Sequence, residues 1–592
     1  MKVHIYQTHH QVGDFTAIAA YLEKIMDEAA PGIHLFPELF LCGYPLQDLC
    51  LQKGFIENYL SHLEQIDKLS KSIEAFSSKV LFLMGGLEYS WSSDQERKHA
   101  IPTTIKNVIY GLEPGKGLKK YYTKKLLPNY DIFDEKKYFT AGEEVGYLEW
   151  EGVGIGLSIC EDIWTSTIHN IDPISDMAKM LAKQDKRCDL LVNLSASPFH
   201  IGKQEKRIER AKEIVGGISA GFAYVNRVGG EDEILFDGQS FFMKQVDGGK
   251  FSIKCLKAFQ SDTAQFKIDS NVSDKINYQT NTDNTWEELF NPELDYQQSP
   301  VTLRRWTDLQ CEKVIAALCF GISEYASKCG FDDLLVANSG GIDSALTLVL
   351  AKMALKESAK LEAIFMPGLY SSTLSYELST NLCQNLGIKQ INLPIKFFHS
   401  TARNQLNEYF GTPLEGLSDE NIQSRLRGCF LYTRSNQTGA MVLNTSNKSE
   451  ISVGYSTLYG DSVGAISVLG DLYKTEVFRL CEFINQKYNG IIPEEIITRP
   501  PTAELRENQR DDQSLPPYEI LDAILEGFLS YRLGVSDLAQ LGHDQEQIRK
   551  VIDLYQRSEY KRKQFPPIIK VKTKSFGFGY RIPICKASNI YI

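Results

Sequence analysis

The 592-residue sequence has no CxxC pair, no HExxH signature and no grouping of its 12 cysteines with its 10 histidines. These absences exclude a zinc site of the usual ligand spacing and a disulfide framework. They suit reduced thiols, most of them small core residues. No run of 18 apolar residues occurs, so no membrane partner is expected. The opening MKVHIYQTHHQVGD lacks an apolar signal core, which points to a cytoplasmic protein. Basic charge is also short: 64 Lys and Arg stand against 75 Asp and Glu, a net −11, so the footprint of a nucleic-acid binder is missing. Solenoid repeats and low-complexity tracts are absent too. What remains, 43% hydrophobic and 23% charged residues, is ordinary globular material. The length exceeds what one core supports, so two or more domains are expected.

Residues 1–260 alternate strand-like runs with amphipathic stretches. KVHIYQT, IHLFPEL from Ile33, VLFLMGGLEY from Val80, VGIGLSIC from Val153, CDLLVNLSAS from Cys188 and GFAYVNRVG from Gly221 are short apolar runs bounded by Gly, Pro or charge. They predict buried strands of a layered α/β domain. Residues 261–300 turn polar and poor in aliphatic side chains, which reads as a linker. From 301 to 592 a second pattern begins. Strands DLLVANS, EAIFMPG and IKQINLPI alternate with helices CEKVIAALCFGISEYASK, DSALTLVLAKMALKES and YELSTNLCQNLG. That is a doubly wound parallel sheet, with a ligand expected at the carboxyl ends of its strands.

The turn after its first strand reads VANSGGIDSAL, Val336–Leu346, and lacks the lysine of a kinase or GTPase phosphate loop. Gly340 and Gly341 free the backbone and clear space for a ligand, Ser339 and Ser344 offer hydroxyls, and the helix start offers unpaired N–H groups. Such a turn can hold phosphate without a lysine. SGGIDS between a strand and a helix resembles the pyrophosphatase loop of ATP-dependent adenylating enzymes. In that likeness Ala337, Asn338, Ser339, Gly340, Gly341, Ile342, Asp343 and Ser344 bind ATP, and Asp343 also binds Mg²⁺.

ENIQSRLRG (Glu420–Gly428), LNTSNKSEISVGYSTLYGD (Leu443–Asp461), GDLYKTEVF (Gly470–Phe478), RPPTAELR (Arg499–Arg506), LPPYEILD (Leu515–Asp522) and SEYKRKQFPP (Ser558–Pro567) follow in order. Together they resemble the synthetase domain of the NAD⁺ synthetase family over most of Leu303–Ile592. The resemblance implies that Thr445, Lys474 and Thr502 contact ATP. It implies that Glu450 completes the metal site with Asp343 and borders the dinucleotide deamido-NAD⁺, which Asn421 and Lys561 hold. Asn338 stands where an aliphatic residue is usual, and Asn444 and Ser446 replace small glycines, so a reshaped ATP pocket is expected.

A synthetase that aminates a carboxylate needs nitrogen, and the first domain offers a nucleophile. In GIGLSICEDIW, Cys160 ends an apolar strand just before Glu161 and Asp162. Two acidic neighbours disfavour a thiolate, so a proton acceptor or a cation must compensate. Glu38, at a strand end in LFPELFLCGYP, and Lys124, in YTKKLLPNYDIFDE, are the candidates; Lys125 is read as a solvated charge. FPEL, KKLLPNY and CEDIW, with NLSASPFHIGK and VNRVGGEDEILFDG, resemble the nitrilase superfamily over about residues 1–249. That implies an α-β-β-α sandwich in which Cys160 attacks the glutamine amide, Glu38 moves protons and Lys124 stabilises the oxyanion. Tyr130, Ser197 and Lys203 match glutamine-binding positions. Gly152, Gly154 and Gly156 lack the helix entry of a dinucleotide fingerprint and are read as strand residues.

The two resemblances imply one enzyme with three small-molecule substrates: glutamine, ATP and deamido-NAD⁺. Ammonia from glutamine would aminate an AMP-activated carboxyl group. Free ammonia is mostly protonated at neutral pH, so an enclosed passage is expected, and with it a homo-oligomer.

Overall fold

The computed structural model describes residues 1–72, 79–93, 101–164, 171–219, 221–246, 249–268 and 303–587. The chain divides into two compact units, Met1–Glu231 with Leu235–Leu289, and Asp232–Ile234 with Phe290–Ile592.

The strands of the first unit are β1 (Lys2–Gln7), β2 (Gly32–Leu35), β3 (Val80–Ser90), β4 (Thr104–Glu113), β5 (Gly117–Thr123), β6 (Tyr147–Trp150), β7 (Val153–Ile159), β8 (Leu190–Ser195), β9 (Gly221–Asn226), β10 (Val228–Glu231), β11 (Ile234–Asp237), β12 (Phe241–Val246), β13 (Lys250–Cys255) and β14 (Asp262–Lys267). They form two six-stranded sheets, β14-β1-β2-β3-β4-β5 and β13-β12-β9-β8-β7-β6, with β10 and β11 as a separate ribbon. Val3, Ile5, Ile33, Leu35, Leu81 and Leu83 of one sheet share a core with Ile155, Leu157, Leu190, Val192, Leu194 and Val225 of the other. Strand alternation turns these residues inward, and both faces of each sheet are covered, so the runs read as almost wholly apolar. Helices Pro173–Gln184 and Lys203–Gly217 cover the outer face of the second sheet through Ile174, Met177, Leu181, Ala211 and Ile214. On the first sheet, Tyr59 of helix Lys53–Ser72 donates to the Leu87 carbonyl (3.1 Å) and accepts from the Leu87 N–H (2.7 Å). The layering is α-β-β-α.

One boundary needs correction. Asp262–Lys267, taken as the start of the linker, is β14, paired antiparallel with the whole of β1. Its DTAQFK pattern exposes alternate polar side chains, as an edge strand does, and this hid it among polar neighbours. The rest of the expected linker, 269–300, lies outside the described residues. Gly154 and Gly156 sit within β7, where a Cβ would approach the Arg187 carbonyl oxygen at 2.1 Å and Met177 Sδ at 2.7 Å. They are packing residues of a strand, as read; Gly152, read with them, lies instead in the turn before β7 at a φ of 75°.

In the second unit β15 (Leu334–Ala337), β16 (Leu361–Phe365), β17 (Lys389–Asn392), β18 (Met441–Asn444) and β19 (Ile466–Ser467) make one parallel sheet, ordered β17-β16-β15-β18-β19. The order reverses between β15 and β18. That is the switch point at which a doubly wound sheet opens a crevice beyond its strand ends. Helix Ile342–Ala354 leaves directly from the turn after β15, and its buried face, Ala345 to Ala351, is almost continuous. A cluster of helices that includes Tyr518–Leu529 and Gln545–Arg557 has its own core, centred on Leu521, Ile524, Leu525, Ile548 and Ile552.

Candidate active sites

In the first unit the loops after β2, β5 and β7 bring Glu38, Lys124 and Cys160 together. All three are buried. Glu38 lies three residues beyond the end of β2 rather than at it. Its Oε1 accepts from Lys124 Nζ and Asn107 Nδ2, both at 2.8 Å, and its Oε2 accepts from the Ala196 N–H at 2.8 Å. Three donors from three segments fix the carboxylate in place. Lys124 Nζ also donates to Glu135 at 2.8 Å. Burial works against the ammonium, but Glu135, Glu38 and Cys160 outweigh it and hold the lysine well above its usual pKa, so it stays charged. Burial pushes the Cys160 thiol well up, Glu38 adds to the effect and Lys124 opposes it.

Cys160 has φ of 42°, in the left-handed region that costs a non-glycine residue about 1–3 kcal/mol. It stands at the corner between β7 and the short 3₁₀ turn Cys160–Ile163. Asp162 holds that corner. Its carboxylate accepts the N–H groups of Ile159 (2.9 Å), Lys125 (3.1 Å) and Leu126 (2.8 Å) and the Tyr122 hydroxyl (2.9 Å). The cysteine turn is thereby tied to the segment that carries Lys124.

Lys125 departs from its reading as a solvated charge. It is buried, and its Nζ pairs with Asp176 Oδ2 at 2.9 Å. Of the expected glutamine-binding residues, Tyr130 donates to both oxygens of Glu161 (2.9 and 3.0 Å). Ser197 Oγ accepts from Arg207 Nη2 at 3.2 Å. The Lys203 ammonium lies over the Trp164 ring, 4.6 Å from its centroid. Burial, then Arg207, lowers Lys203 to about 8, while Glu161 and Cys160 pull the other way. A carboxylate and an amine therefore flank the thiol.

In the second unit a cleft of about 270 Å³ opens at the switch point. Ala337, Asn338, Ser339, Gly341, Ile342, Asp343, Ser344, Thr445, Glu450, Lys474 and Thr502 all line it. At its centre Lys474 Nζ sits 2.5 Å from Asp343 Oδ2 and 3.2 Å from Glu450 Oε1, and Asn447 Nδ2 donates to Asp343 Oδ1 at 2.9 Å. Burial raises Glu450 to about 8 against the pull of Lys474, with Asp343 adding to the rise.

Gly340 does not line the cleft. Its φ is 76°, and a Cβ there would lie 2.4 Å from the Ser375 carbonyl oxygen. The space that its missing side chain clears faces the neighbouring helix Thr373–Leu386. Gly341, at φ −87°, needs no special conformation. Asn421 and Lys561 are also absent from the cleft lining. Asn421 accepts from the Thr457 hydroxyl at 2.7 Å, and Lys561 donates to the carbonyls of Gly454 (2.8 Å) and Ser456 (2.7 Å). Both brace the segment that presents Tyr455 to the cleft. Asn338 directly follows β15 and Asn444 ends β18, the two strands that flank the switch point. Asn338 Nδ2 bonds the Ser379 carbonyl (3.1 Å) and Gln390 (3.1 Å); Asn444 Nδ2 bonds the Asp461 and Val463 carbonyls (both 3.0 Å). Ser446 is buried, its N–H donating to Asn444 Oδ1 at 3.1 Å.

Relatives of known identity match along both units. A curated protein from Synechocystis, a glutamine-dependent NAD(+) synthetase, is 34% identical over 583 residues, 96% of each chain. Another of the same name from Thermotoga maritima is 34% identical over 610 residues, 99% of this chain and 98% of that one. The NAD synthase family profile matches residues 314–565. The solved glutamine-dependent NAD⁺ synthetase of Acinetobacter baumannii, in complex with ADP, superposes with a TM-score of 0.68 at 29% identity, covering 98% of both chains. This chain belongs to the glutamine-dependent NAD⁺ synthetase family.

Two side chains of this synthetase were not picked out from its sequence. Glu135 opens a four-residue helix in the charged run DEKK, which reads as a solvated surface, yet it is buried against Lys124 and accepts from the Tyr44 hydroxyl (3.2 Å). Arg499, inside RPPTAELR, donates to the Gly340 carbonyl (2.8 Å) and to Ser375 Oγ (3.0 Å) and lines the cleft. The only signal for Arg499 was its place in a quoted motif. For Glu135 there was only its offset from Lys124.

Proposed function

We propose that the chain forms NAD⁺ by amidating deamido-NAD⁺, consuming ATP to AMP and pyrophosphate and drawing nitrogen from glutamine. Family membership along the whole chain supports this activity. The observation that carries the division of labour is a pair of charged centres: the buried Glu38–Lys124–Cys160 in one unit, and partly buried Asp343 and Glu450 around buried Lys474 at the switch point of the other.

In the first unit the Cys160 sulfur attacks the glutamine side-chain carbonyl and its proton passes to Glu38. Collapse of the tetrahedral adduct returns that proton to the departing ammonia and leaves a thioester, which water cleaves with Glu38 as base. The Lys124 ammonium lies where negative charge develops on the carbonyl oxygen. Glu161 and Lys203 offer a carboxylate and an ammonium for the α-amino and α-carboxylate groups of glutamine, with Tyr130 orienting Glu161 and Ser197 beside them.

In the second unit the nicotinate carboxylate attacks the α-phosphorus of ATP and expels pyrophosphate. Ammonia then attacks the acyl adenylate, and AMP leaves. Lys474, Thr445, Ser339, Ser344 and the N–H groups at the start of helix Ile342–Ala354 hold phosphate, and Thr502 borders the nucleotide. Asn421 and Lys561 act on the dinucleotide through the segment they brace. Asp343 and Glu450 fit Mg²⁺: two carboxylates from the first turns of different helices converge on one positive group. A hard cation that keeps several waters and phosphate oxygens needs no larger protein cage. Among the described residues no cluster of three His, Cys, Asp or Glu side chains could hold a metal by itself. Bound there, Mg²⁺ would offset phosphate charge. The proposed setting is a cytoplasmic homo-oligomer with no nucleic-acid or membrane partner.

The deciding assay supplies ATP, deamido-NAD⁺ and glutamine and reads the nucleotide products. AMP and pyrophosphate in step with NAD⁺ are expected; ADP and phosphate would overturn the reading.

A further inference from the structure

The motif LPPYEILD acquires no role from the chemistry above. Its Tyr518 and Asp522 lie four residues apart on helix Tyr518–Leu529, hence on one face. The Tyr518 ring stands under the Lys474 ammonium, 5.3 Å from its centroid, and its hydroxyl donates to Asp511 Oδ2 at 2.8 Å. One turn on, Asp522 has no solvent exposure. Its Oδ2 accepts from the N–H and the hydroxyl of Thr475, both at 2.9 Å, and its Oδ1 accepts from Ser449 Oγ at 2.5 Å. Ser449 Oγ in turn accepts the Lys474 N–H at 2.9 Å.

Ser449 immediately precedes Glu450 at the start of helix Lys448–Val453, and Thr475 immediately follows Lys474 at the start of helix Lys474–Lys487. One buried carboxylate therefore grips the first turns of both helices that carry the ATP-site charges. We propose that Asp522 is a positioning residue that, through Ser449 and Thr475, sets the separation of Glu450 and Lys474 on which turnover at the switch-point cleft depends. The inference rests on the reading of that cleft as the ATP site.

The geometry accounts for a buried acid that touches no substrate. A carboxylate in an apolar interior is tolerated only when hydrogen bonded, and each oxygen of Asp522 has its donors. Those donors belong to the two helix starts and nothing else. Moving either helix would break a bond at Asp522, so the carboxylate couples the two.

The test compares Asp522→Asn, Ser449→Ala and Thr475→Ala in full-length protein, with ammonium as nitrogen source so that the first unit plays no part. Asp522→Asn keeps the shape but loses an acceptor. Ser449→Ala cuts the relay to Lys474. Thr475→Ala keeps the main-chain bond. For the first two, kcat is expected to fall roughly 10- to 100-fold, the loss typical of a small misplacement of reacting groups. Calorimetric affinity for ATP with Mg²⁺ should weaken and half-saturating Mg²⁺ should rise. Thr475→Ala should lose less than Ser449→Ala, because the Thr475 N–H still holds Asp522 Oδ2. Melting curves identify any variant that does not fold; if Asp522→Asn is one, Ser449→Ala decides. Folded Ser449→Ala with wild-type kcat and Mg²⁺ dependence, or Thr475→Ala losing as much as Ser449→Ala, overturns the proposal. Wild-type protein that yields ADP instead of AMP in the same assay sinks the reading of the site itself.

Discussion

Lys124 Nζ and Glu135 Oε1 stand 2.8 Å apart, both side chains buried, with Glu38 Oε1 at the same distance from the ammonium. One cation thus serves two carboxylates. The pairing keeps Lys124 charged, while burial still raises Glu135 to about 8. Glu135→Gln keeps the shape and removes the carboxyl group that the ammonium bonds. Glutamine-supported NAD⁺ formation is expected to fall roughly 10- to 1000-fold, through loss of electrostatic order at the oxyanion position. Ammonium-supported formation should not change. Equal losses with both donors would place Glu135 in the scaffold rather than in amide chemistry.

Cys160→Ala separates the two half-reactions more sharply. No thioester can form, so turnover with glutamine should vanish while turnover with an ammonium salt persists. A parallel assay with the two donors checks this, and the left-handed backbone at position 160 is as costly for Ala as for Cys. Retained glutamine-dependent turnover would remove Cys160 from the mechanism.

Much of both candidate sites was legible because many of their side chains stand in the loops just beyond strand ends, and strands announce themselves as apolar runs. FPEL, SICED and VANSGGIDS each pair such a run with the polar residues after it. Glu135 was not legible because burial is a tertiary property and DEKK has no apolar pattern. Lys125 was misread for the same reason: Asp176, its partner at 2.9 Å, is 51 residues away. The edge strand Asp262–Lys267 has half its side chains in solvent, so its composition matched the polar stretch that follows. The spacing of Tyr518 and Asp522 was visible, but their shared target, the start of helix Lys474–Lys487, is a tertiary contact.

Asp343→Asn addresses the other half. The carboxylate bonds Lys474 and Asn447 and, on our reading, Mg²⁺. With the charge gone, NAD⁺ formation should fall with either nitrogen donor, by roughly 100-fold or more if a charge-stabilising contact is lost. Melting and circular dichroism should stay close to wild type, because Asp343 is only partly buried. Unchanged ammonium-driven turnover would remove it from the ATP site.

Gly340→Ala tests the close approach at that glycine. A Cβ would lie 2.4 Å from the Ser375 carbonyl oxygen at a φ of 76°. The backbone term alone costs roughly 1–2 kcal/mol, and the clash must displace helix Thr373–Leu386 or the loop itself. Lower thermal stability and weaker ATP binding should appear together. At Gly341 an added Cβ meets only Ser339 Oγ at 3.2 Å, so Gly341→Ala should cost less stability. The reverse ranking would return Gly341 to the strained position.

On the proposed reading, Lys203 sets a pH dependence for glutamine use. An amine is charged below its pKa, and burial beside Arg207 lowers this one to about 8. As pH rises through 8 the ammonium is lost, so a glutamine α-carboxylate held there loses its counter-charge. The kcat/KM for glutamine, which reports the free enzyme, should fall across that range while ammonium-driven turnover does not follow. Glu135 titrates near the same pH but gains charge as Lys203 loses it, and the substrate amine also changes state. Lys203→Arg separates these contributions, because a guanidinium stays charged far above pH 8. In that variant the descending limb should move to higher pH even if glutamine binds less tightly. A limb that stays in place would assign the titration to Glu135 or to the substrate and take Lys203 out of glutamine recognition.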